Sequence, residues 1–221
     1  MILKKIPLFS GLDDKELEKI NRLVKIMDYP KGCFVFHEGE LGEKTYFIKS
    51  GKVKIFKTSK NGKEQILGIK VKGDIFGEVT LLNPVRYPAS AQALEDSWIG
   101  CISNCNLEIY IKNHPDVSLN LIKTLNKNLL EAQHKIKNLA VNDTYTRTVL
   151  ELIELSQKFG VTTPEGIKIN LVLTRQELAG MIGTTRETIS RILAKLKQEE
   201  TINIINKHIY IKDIEKLKNW L

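Results

Sequence analysis

The stretch TRQELAGMIGTTRETISRILAKLK, residues 174–197, decides how the C-terminal third of the chain folds. Thr174 has a glutamate, Glu177, three residues on, the spacing of a capping box that opens a helix. Leu178, Ala179 and Ile182 follow at helical spacing as one apolar face. Gly183 ends that helix, because glycine enters a left-handed turn at little cost. Thr184 or Thr185 caps a second helix, whose buried side is Ile189, Ile192, Leu193 and Leu196. Two short helices joined by a tight glycine turn make a helix-turn-helix, in which the start of the second helix enters the DNA major groove.

The side chains placed there suit base reading. Arg186 and Arg191 each offer a two-pronged donor to guanine O6 and N7. Glu187 can accept from a cytosine amino group or hold an arginine in place. Ser190 and Thr185 are short donors for phosphate or base edges. Thr174, Arg175 and Gln176 at the start of the first helix, and Lys195 on the second, complete the candidate DNA-contacting set. Residues 201–211 read as two short strands about Asn206-Lys207, a hairpin wing. The run TRQELAGMIGTTRETISRIL closely resembles the DNA-binding helices of the Crp/Fnr family of bacterial transcription regulators. That family reads a half-site with an R-E-x-x-x-R set, and Arg186, Glu187 and Arg191 fall on those positions. The resemblance implies a dimer on an inverted repeat with half-sites of the TGTGA kind, and RNA polymerase as a partner. Ser190 also matches the Fnr branch.

A chain of 221 residues allows one large domain or two small ones. The formal charge of +8 favours a polyanion such as DNA, although the lysines are spread along the chain. No long uncharged apolar run is present, so no membrane span is expected. MILKKIPLFSGL, at the N-terminus, lacks the apolar stretch and cleavage site of a signal peptide. Three cysteines at irregular spacing make no disulfide framework, and a reducing cytoplasm is the simplest setting.

Residues 1–28 hold a loop and a helix, with caps in residues 10–13 and Leu17, Ile20, Leu23, Val24 and Met27 as its apolar side. From residue 29 to 102, short β-branched and aromatic runs (33–36, 46–48, 53–56, 65–71, 75–76, 90–93 and 98–102) are punctuated by glycines, which predicts an antiparallel sandwich or barrel. Asn61-Gly62 is a two-residue hairpin signal. The spacing PKGCFVFHEGE…YFIKSGKVKIFK…KGDIFGEVTLL resembles the cyclic-nucleotide-binding β-roll of Crp/Fnr proteins, a jelly roll of cupin-like shape. Ile122, Leu125, Leu129, Ala132, Ile136 and Leu139 recur at alternating steps of three and four, a heptad seam for a homodimer. A single helix packed on its own domain uses a similar stripe. In the family this position is the dimerisation helix. Residues 146–159 read as a helix stopped by Gly160; TTPEG is a loop; 167–173 is a strand, and Asp213 caps a last helix ending at Leu221. The fold class is therefore α+β: a β-roll sensor domain over 1–114, a dimerisation helix over 115–142, and a winged helix-turn-helix over 143–221.

Phe76-Gly77-Glu78-Val79 resembles the start of the family's phosphate cassette, where a glycine approaches the cyclic phosphate and a glutamate accepts from the ribose hydroxyl. A β-roll turn kept for backbone geometry alone would carry the same residues. The arginine that neutralises the phosphate is missing: Pro88 or Ala89, before Ser90, stands in its place, and Arg86 is offset by two residues. Ala132 and Gln133 occupy the purine-contacting positions of the dimer helix. A buried phosphate without a cation is expensive, which argues against cyclic AMP. Only Cys33, Cys101 and Cys105 are available, which argues against a four-iron cluster; Cys101 and Cys105 form a redox pair only if they come within disulfide range. His37, His114, His134 and His208 are scattered and leave haem open, with His134 beside the expected pocket. A small organic effector, or none, also stays open. In the first case an effector between β-roll and dimer helix reorients the recognition helices; in the second the β-roll is a scaffold. Residues 53–56 and the loop 57–65 are candidates for carrying motion or meeting polymerase. An enzyme of the cupin type needs a histidine cluster for a metal, and the β-roll stretch holds only His37, so neither enzyme nor metal site is expected.

Overall fold

The computed structural model describes residues 3–221; Met1 and Ile2, part of the N-terminal stretch read above, lie outside the described residues. The chain divides into two compact units. The first runs to Thr58 and resumes over Ile66–Glu131; the second holds Ser59–Gln65 and Ala132–Leu221.

The first unit opens with helix α1 (Asp14–Asn21), capped by Asp13, whose carboxylate accepts from the Glu16 N–H. Strands β1 (Lys25–Tyr29), β2 (Phe34–Phe36), β3 (Lys44–Ser50), β4 (Lys52–Thr58), β5 (Glu64–Val71), β6 (Ile75–Phe76), β7 (Ser90–Ala93) and β8 (Ser97–Ser103) follow. They form two four-stranded sheets, ordered β1-β8-β3-β6 and β2-β7-β4-β5. Alternation sorts β3 cleanly. Tyr46 and Ile48 face the β-roll interior with Phe36, Val53, Phe76, Tyr87, Ala91 and Ile99. Phe47 faces the other way, into a helical layer with Leu8, Phe9, Leu17, Ile20 and Ile102. Helices α2 (Asn104–Asn113) and α3 (Pro115–Val141) supply Leu107, Ile111, Val117 and Leu121 to that layer. Gly100 sits opposite Phe47 in register, where any Cβ would strike the phenyl ring.

The pattern over 17–27 predicts one helix, but α1 ends at Asn21, and residues 25–29 pair with β8 from Lys25↔Cys101 to Tyr29↔Ser97. Tertiary pairing at the sheet edge overrides the helical spacing of Val24 and Met27. The hairpin about Asn61-Gly62 forms, but as a longer turn closed by the Ser59 N–H on the Lys63 carbonyl (2.9 Å); only Gly62 has positive φ. Asn206 (φ 49) and Lys207 (φ 67), in the second unit, are the pair that adopts the two-residue turn.

A polar cluster ties α1 to the α2–α3 junction. Glu16 Oε2 lies 2.8 Å from His114 Nε2 and accepts from the Tyr110 hydroxyl at 3.1 Å; the other oxygen accepts from Lys19. Hydrogen bonds from Lys19 and then His114 hold the Glu16 carboxyl well below its ordinary 4.5, at about 2. Because the folded-state pKa is the lower one, these bonds favour folding above pH 4.5 and are lost as pH falls through about 2. In denaturant melts Glu16→Gln is therefore expected to be less stable than wild type above pH 4.5, with the gap closing toward pH 2. A gap independent of pH would assign the loss to packing instead.

The second unit contains α4 (Thr144–Phe159), β9 (Gly160–Thr163), β10 (Gly166–Ile169), α5 (Arg175–Ile182), α6 (Arg186–Gln198), β11 (Ile202–Ile205), β12 (His208–Ile211) and α7 (Ile214–Lys218). TTPEG (162–166), expected as a loop, is the turn end of a β9–β10 hairpin, and the strand expected over 167–173 stops at Ile169. Gly160 ends α4 by starting this strand (φ −70) rather than by a left-handed turn. The sheet order is β11-β12-β10-β9, which adds the wing to that hairpin. Helix α7 ends at Lys218, short of Leu221. No described helix is long and apolar enough to cross a membrane.

Candidate nucleic-acid interface and sensor site

The two helices of the motif form where the sequence places them. Thr174 Oγ1 accepts from the Glu177 N–H (3.1 Å), and Glu177 Oε2 accepts from the Thr174 N–H (2.8 Å), so both arms of the capping box are made. Gly183 adopts φ 75, and a Cβ there would stand 3.1 Å from the Leu139 side chain. Of the two threonines, Thr185 is the cap of α6, accepting from the Thr188 N–H. Ile189, Ile192, Leu193 and Leu196 are buried, which turns Arg186, Glu187, Ser190 and Arg191 outward.

Neither Arg186 nor Arg191 is held by a protein acceptor among the described residues, and Glu187 makes no ion pair with either. Two exposed guanidinium groups without partners are poised for an external acceptor. Ser190 turns its hydroxyl back onto the Arg186 carbonyl (2.8 Å). Thr174 is engaged by its capping box, while Gln176 is exposed. Arg175 is half-buried without a partner, and desolvation pulls its guanidinium pKa down, so an incoming phosphate would relieve it. Lys195 is placed differently from a simple phosphate contact. Its ammonium lies over the Trp220 (4.6 Å) and Tyr145 (5.0 Å) rings, binding the end of α6 to α4 and the chain terminus.

Arg147, on α4, has no counterpart in the motif reading. Its Nε donates to the Ile182 carbonyl (3.1 Å), and Nη1 to the Asn142 carbonyl (2.9 Å). Nη2 reaches Thr144 Oγ1 (3.3 Å) and the Gly183 carbonyl (3.5 Å). A cation on the unsatisfied carbonyls at the C-terminus of α5 fixes the turn that aims α6. Only the preference of basic residues for helix ends could have hinted at it.

In the first unit, Gly77 (φ 76) starts a 3-10 turn that carries Glu78 and Val79. Val79 is exposed; Glu78 is buried, and its carboxyl is raised by desolvation, with Lys70 opposing. Glu78 Oε1 accepts from Asn128 Nδ2 on α3 (2.8 Å). Asn128 is thus the α3 residue that meets the cassette; Ala132 and Gln133 are exposed and fall in the second unit. Arg86 donates to the Gly39 carbonyl (2.7 Å), and Ala89 is buried. Ser90 Oγ accepts from the Glu38 N–H (2.9 Å). Inside the roll, Phe36 stacks on Tyr87 (3.9 Å) and Tyr46 on Phe76 (5.3 Å).

The remaining candidates sit apart. Cys33 and Cys105 are exposed and Cys101 is buried, all three free; burial raises the Cys101 pKa, which favours an inert thiol. His37 stacks on Phe34, His114 is held by Glu16, and His134 is exposed. Among the described residues no three His, Cys, Asp or Glu side chains cluster as metal ligands.

A β-roll followed by a winged helix-turn-helix defines a class, the DNA-binding transcription regulators. Residues 26–114 match the cyclic nucleotide-binding domain, and residues 146–220 match the Crp-like helix-turn-helix domain. The chain is 29% identical over 216 residues to a CRP-like cAMP-activated global transcriptional regulator of Mycobacterium tuberculosis, covering 98% of this chain and 96% of that one. It is 31% identical over 202 residues to a cyclic AMP receptor protein of Thermus thermophilus, covering 91% and 90%. Among solved structures, the c-di-GMP responsive global regulator of Xanthomonas campestris superposes with a TM-score of 0.81 at 25% identity, over 91% of this chain and all of that one. The chain belongs to the Crp/Fnr family of DNA-binding transcription regulators, and its relatives are regulators rather than enzymes.

Proposed function

We propose that this regulator acts as a homodimer that binds an inverted repeat with TGTGA-like half-sites, in partnership with RNA polymerase and under control of a small effector in the β-roll. The observation that carries the reading is the bare face of α6, where Arg186 and Arg191 project without protein partners. Helix α3 supports the symmetric part. Ile122, Leu125, Leu129, Ile136 and Leu139 are between 37% (Leu125) and 66% (Ile136) exposed, an apolar stripe that a second copy would cover.

In this reading the effector is something other than cyclic AMP, with a cyclic-nucleotide-responsive regulator as the alternative. The site fits one at Gly77 and Glu78 but holds no cation for the phosphate where Ala89 stands, and Arg86 is committed to Gly39. A phosphate seated against Ala89 would meet no arginine there, and a buried charge short of partners is costly. A second reading, a ligand-free β-roll serving as scaffold, is favoured by the four aromatic rings stacked in the roll.

Purified protein, with no ligand added, should be titrated against a duplex carrying an inverted TGTGA repeat and against one with a half-site scrambled. The expected result is at least tenfold preference for the intact repeat, growing when cell extract metabolites are added and unchanged by cyclic AMP. Equal affinity for both duplexes under every condition would remove the reading. Full affinity without any addition selects the scaffold alternative.

A further inference from the structure

Lys70, Glu78 and Asn128 meet inside the first unit from three elements: β5, the turn after Gly77, and α3. Asn128 stands between the two charges. Its Nδ2 donates to Glu78 Oε1 (2.8 Å), and its Oδ1 accepts from Lys70 Nζ (3.1 Å). An ammonium has three donors, and the Lys70 ammonium spends one, on a neutral amide. No carboxylate pairs with it among the described residues, and Glu78 has no side-chain donor besides Asn128. A half-buried cation and a buried carboxyl are therefore bridged by one amide: they attract each other across it without a direct ion pair, and the carboxyl accepts besides only from its own backbone. Charges in that setting need further partners to be well satisfied.

Residues 86–90 do not provide them. Arg86 binds Gly39, the Tyr87 hydroxyl donates to the Lys44 carbonyl (2.7 Å), and Ala89 has nothing to offer. The cation nearest Glu78 is instead Lys70 on β5. Its counterpart must present acceptors to Lys70 and, within the span of one amide, a donor to Glu78. A compact molecule with an anionic group beside a hydroxyl does both.

We propose that the β-roll binds a small hydroxylated anion, a hydroxy acid or its phosphate ester, with the anionic oxygens on Lys70 and the hydroxyl donating to Glu78. Asn128 reports the event: competition for Lys70 releases its carbonyl and loosens or re-aims its grip on Glu78, which shifts α3. This assignment rests on the effector reading above and names the chemistry of that effector.

The test is thermal unfolding of the full-length protein at fixed ionic strength. Glycerate and 3-phosphoglycerate carry charge and hydroxyl together; propionate carries charge alone, glycerol hydroxyls alone, and cyclic AMP serves as the nucleotide. At least one of the first two should raise Tm saturably, while propionate, glycerol and cyclic AMP do not. Lys70→Met should weaken half-saturation at least tenfold, and Glu78→Gln likewise; the melting transition of each variant shows whether it is folded, and either one suffices. The proposal is overturned if no probe raises Tm, if propionate does as well as glycerate, if cyclic AMP alone acts, or if both folded variants respond as wild type does. The same preparation is titrated with the inverted repeat. Tight operator binding with no response to the acids sinks the anion site and leaves the regulator standing; failure on the operator sinks the regulator whatever the acids do.

Discussion

Leu129→Glu is expected to leave the protein monomeric in sedimentation and to abolish binding to an inverted-repeat operator. Leu129 is 57% exposed on α3, in the middle of the stripe formed by Ile122, Leu125, Ile136 and Leu139. Burying one leucine is worth about 1.5–3 kcal/mol, and a symmetric seam counts it twice. A glutamate at that position removes both contributions and sets two carboxylates opposite each other in a low-dielectric seam, where like charges repel strongly. A monomer offers one α6 to one half-site, so the second half-site's binding energy is lost, and the fall in operator affinity should exceed about 100-fold, since each 1.4 kcal/mol is a factor of ten. The first unit should keep its fold, because the core contributed by α3 comes from Val117 and Leu121. Leu125→Glu should behave alike. A Leu129→Glu protein that sediments as a dimer would reassign the stripe to another surface.

What the sequence disclosed follows the range of the forces involved. The caps at Thr174 and Thr185, the left-handed Gly183 and the alternation in β3 are decided by neighbours within four residues, and they form as the sequence suggests. Strand β1 was hidden because its residues lie on a sheet edge, mostly exposed, and only β8, some 70 residues on, makes them a strand. The β9–β10 hairpin was hidden because its turn signal reads equally well as a loop. Site residues divide the same way. Arg186 and Arg191 were legible because their direction is set by the helix they stand on. Asn128 and Lys70 were not: each meets its partner across 50 to 58 residues of chain, and neither belongs to a local motif. Arg147 reaches the end of α5 35 residues later, and Lys195, placed in the DNA-contacting set, lies over Trp220 and Tyr145. Long flexible side chains choose partners by tertiary placement, which spacing does not encode.

Arg186→Ala is expected to relax base preference at one position in each half-site and to weaken the intact operator by about 2–6 kcal/mol. Arg186 is the first residue of α6, directly after the Thr185 cap, exposed and without a protein partner. A bidentate arginine–guanine pair discriminates by about 1–3 kcal/mol, and two symmetric copies on well-separated half-sites add. Affinity for the operator should therefore fall roughly thirtyfold to twenty-thousandfold, while affinity for unrelated DNA changes little. Arg186→Lys separates geometry from charge: it keeps the cation but not the fork, so it should lose most of the base preference and retain the salt dependence. Arg175→Ala is the complementary case. Its guanidinium, half-buried at the start of α5, suits a phosphate. Its loss should weaken all sequences alike and reduce the salt slope by about one per site. Selection of bound sequences from a random pool by the two variants reads the difference directly. If Arg186→Ala instead behaves as Arg175→Ala should, with every sequence weakened in proportion, then the exposed face of α6 touches only the DNA backbone and the half-site is read by other side chains.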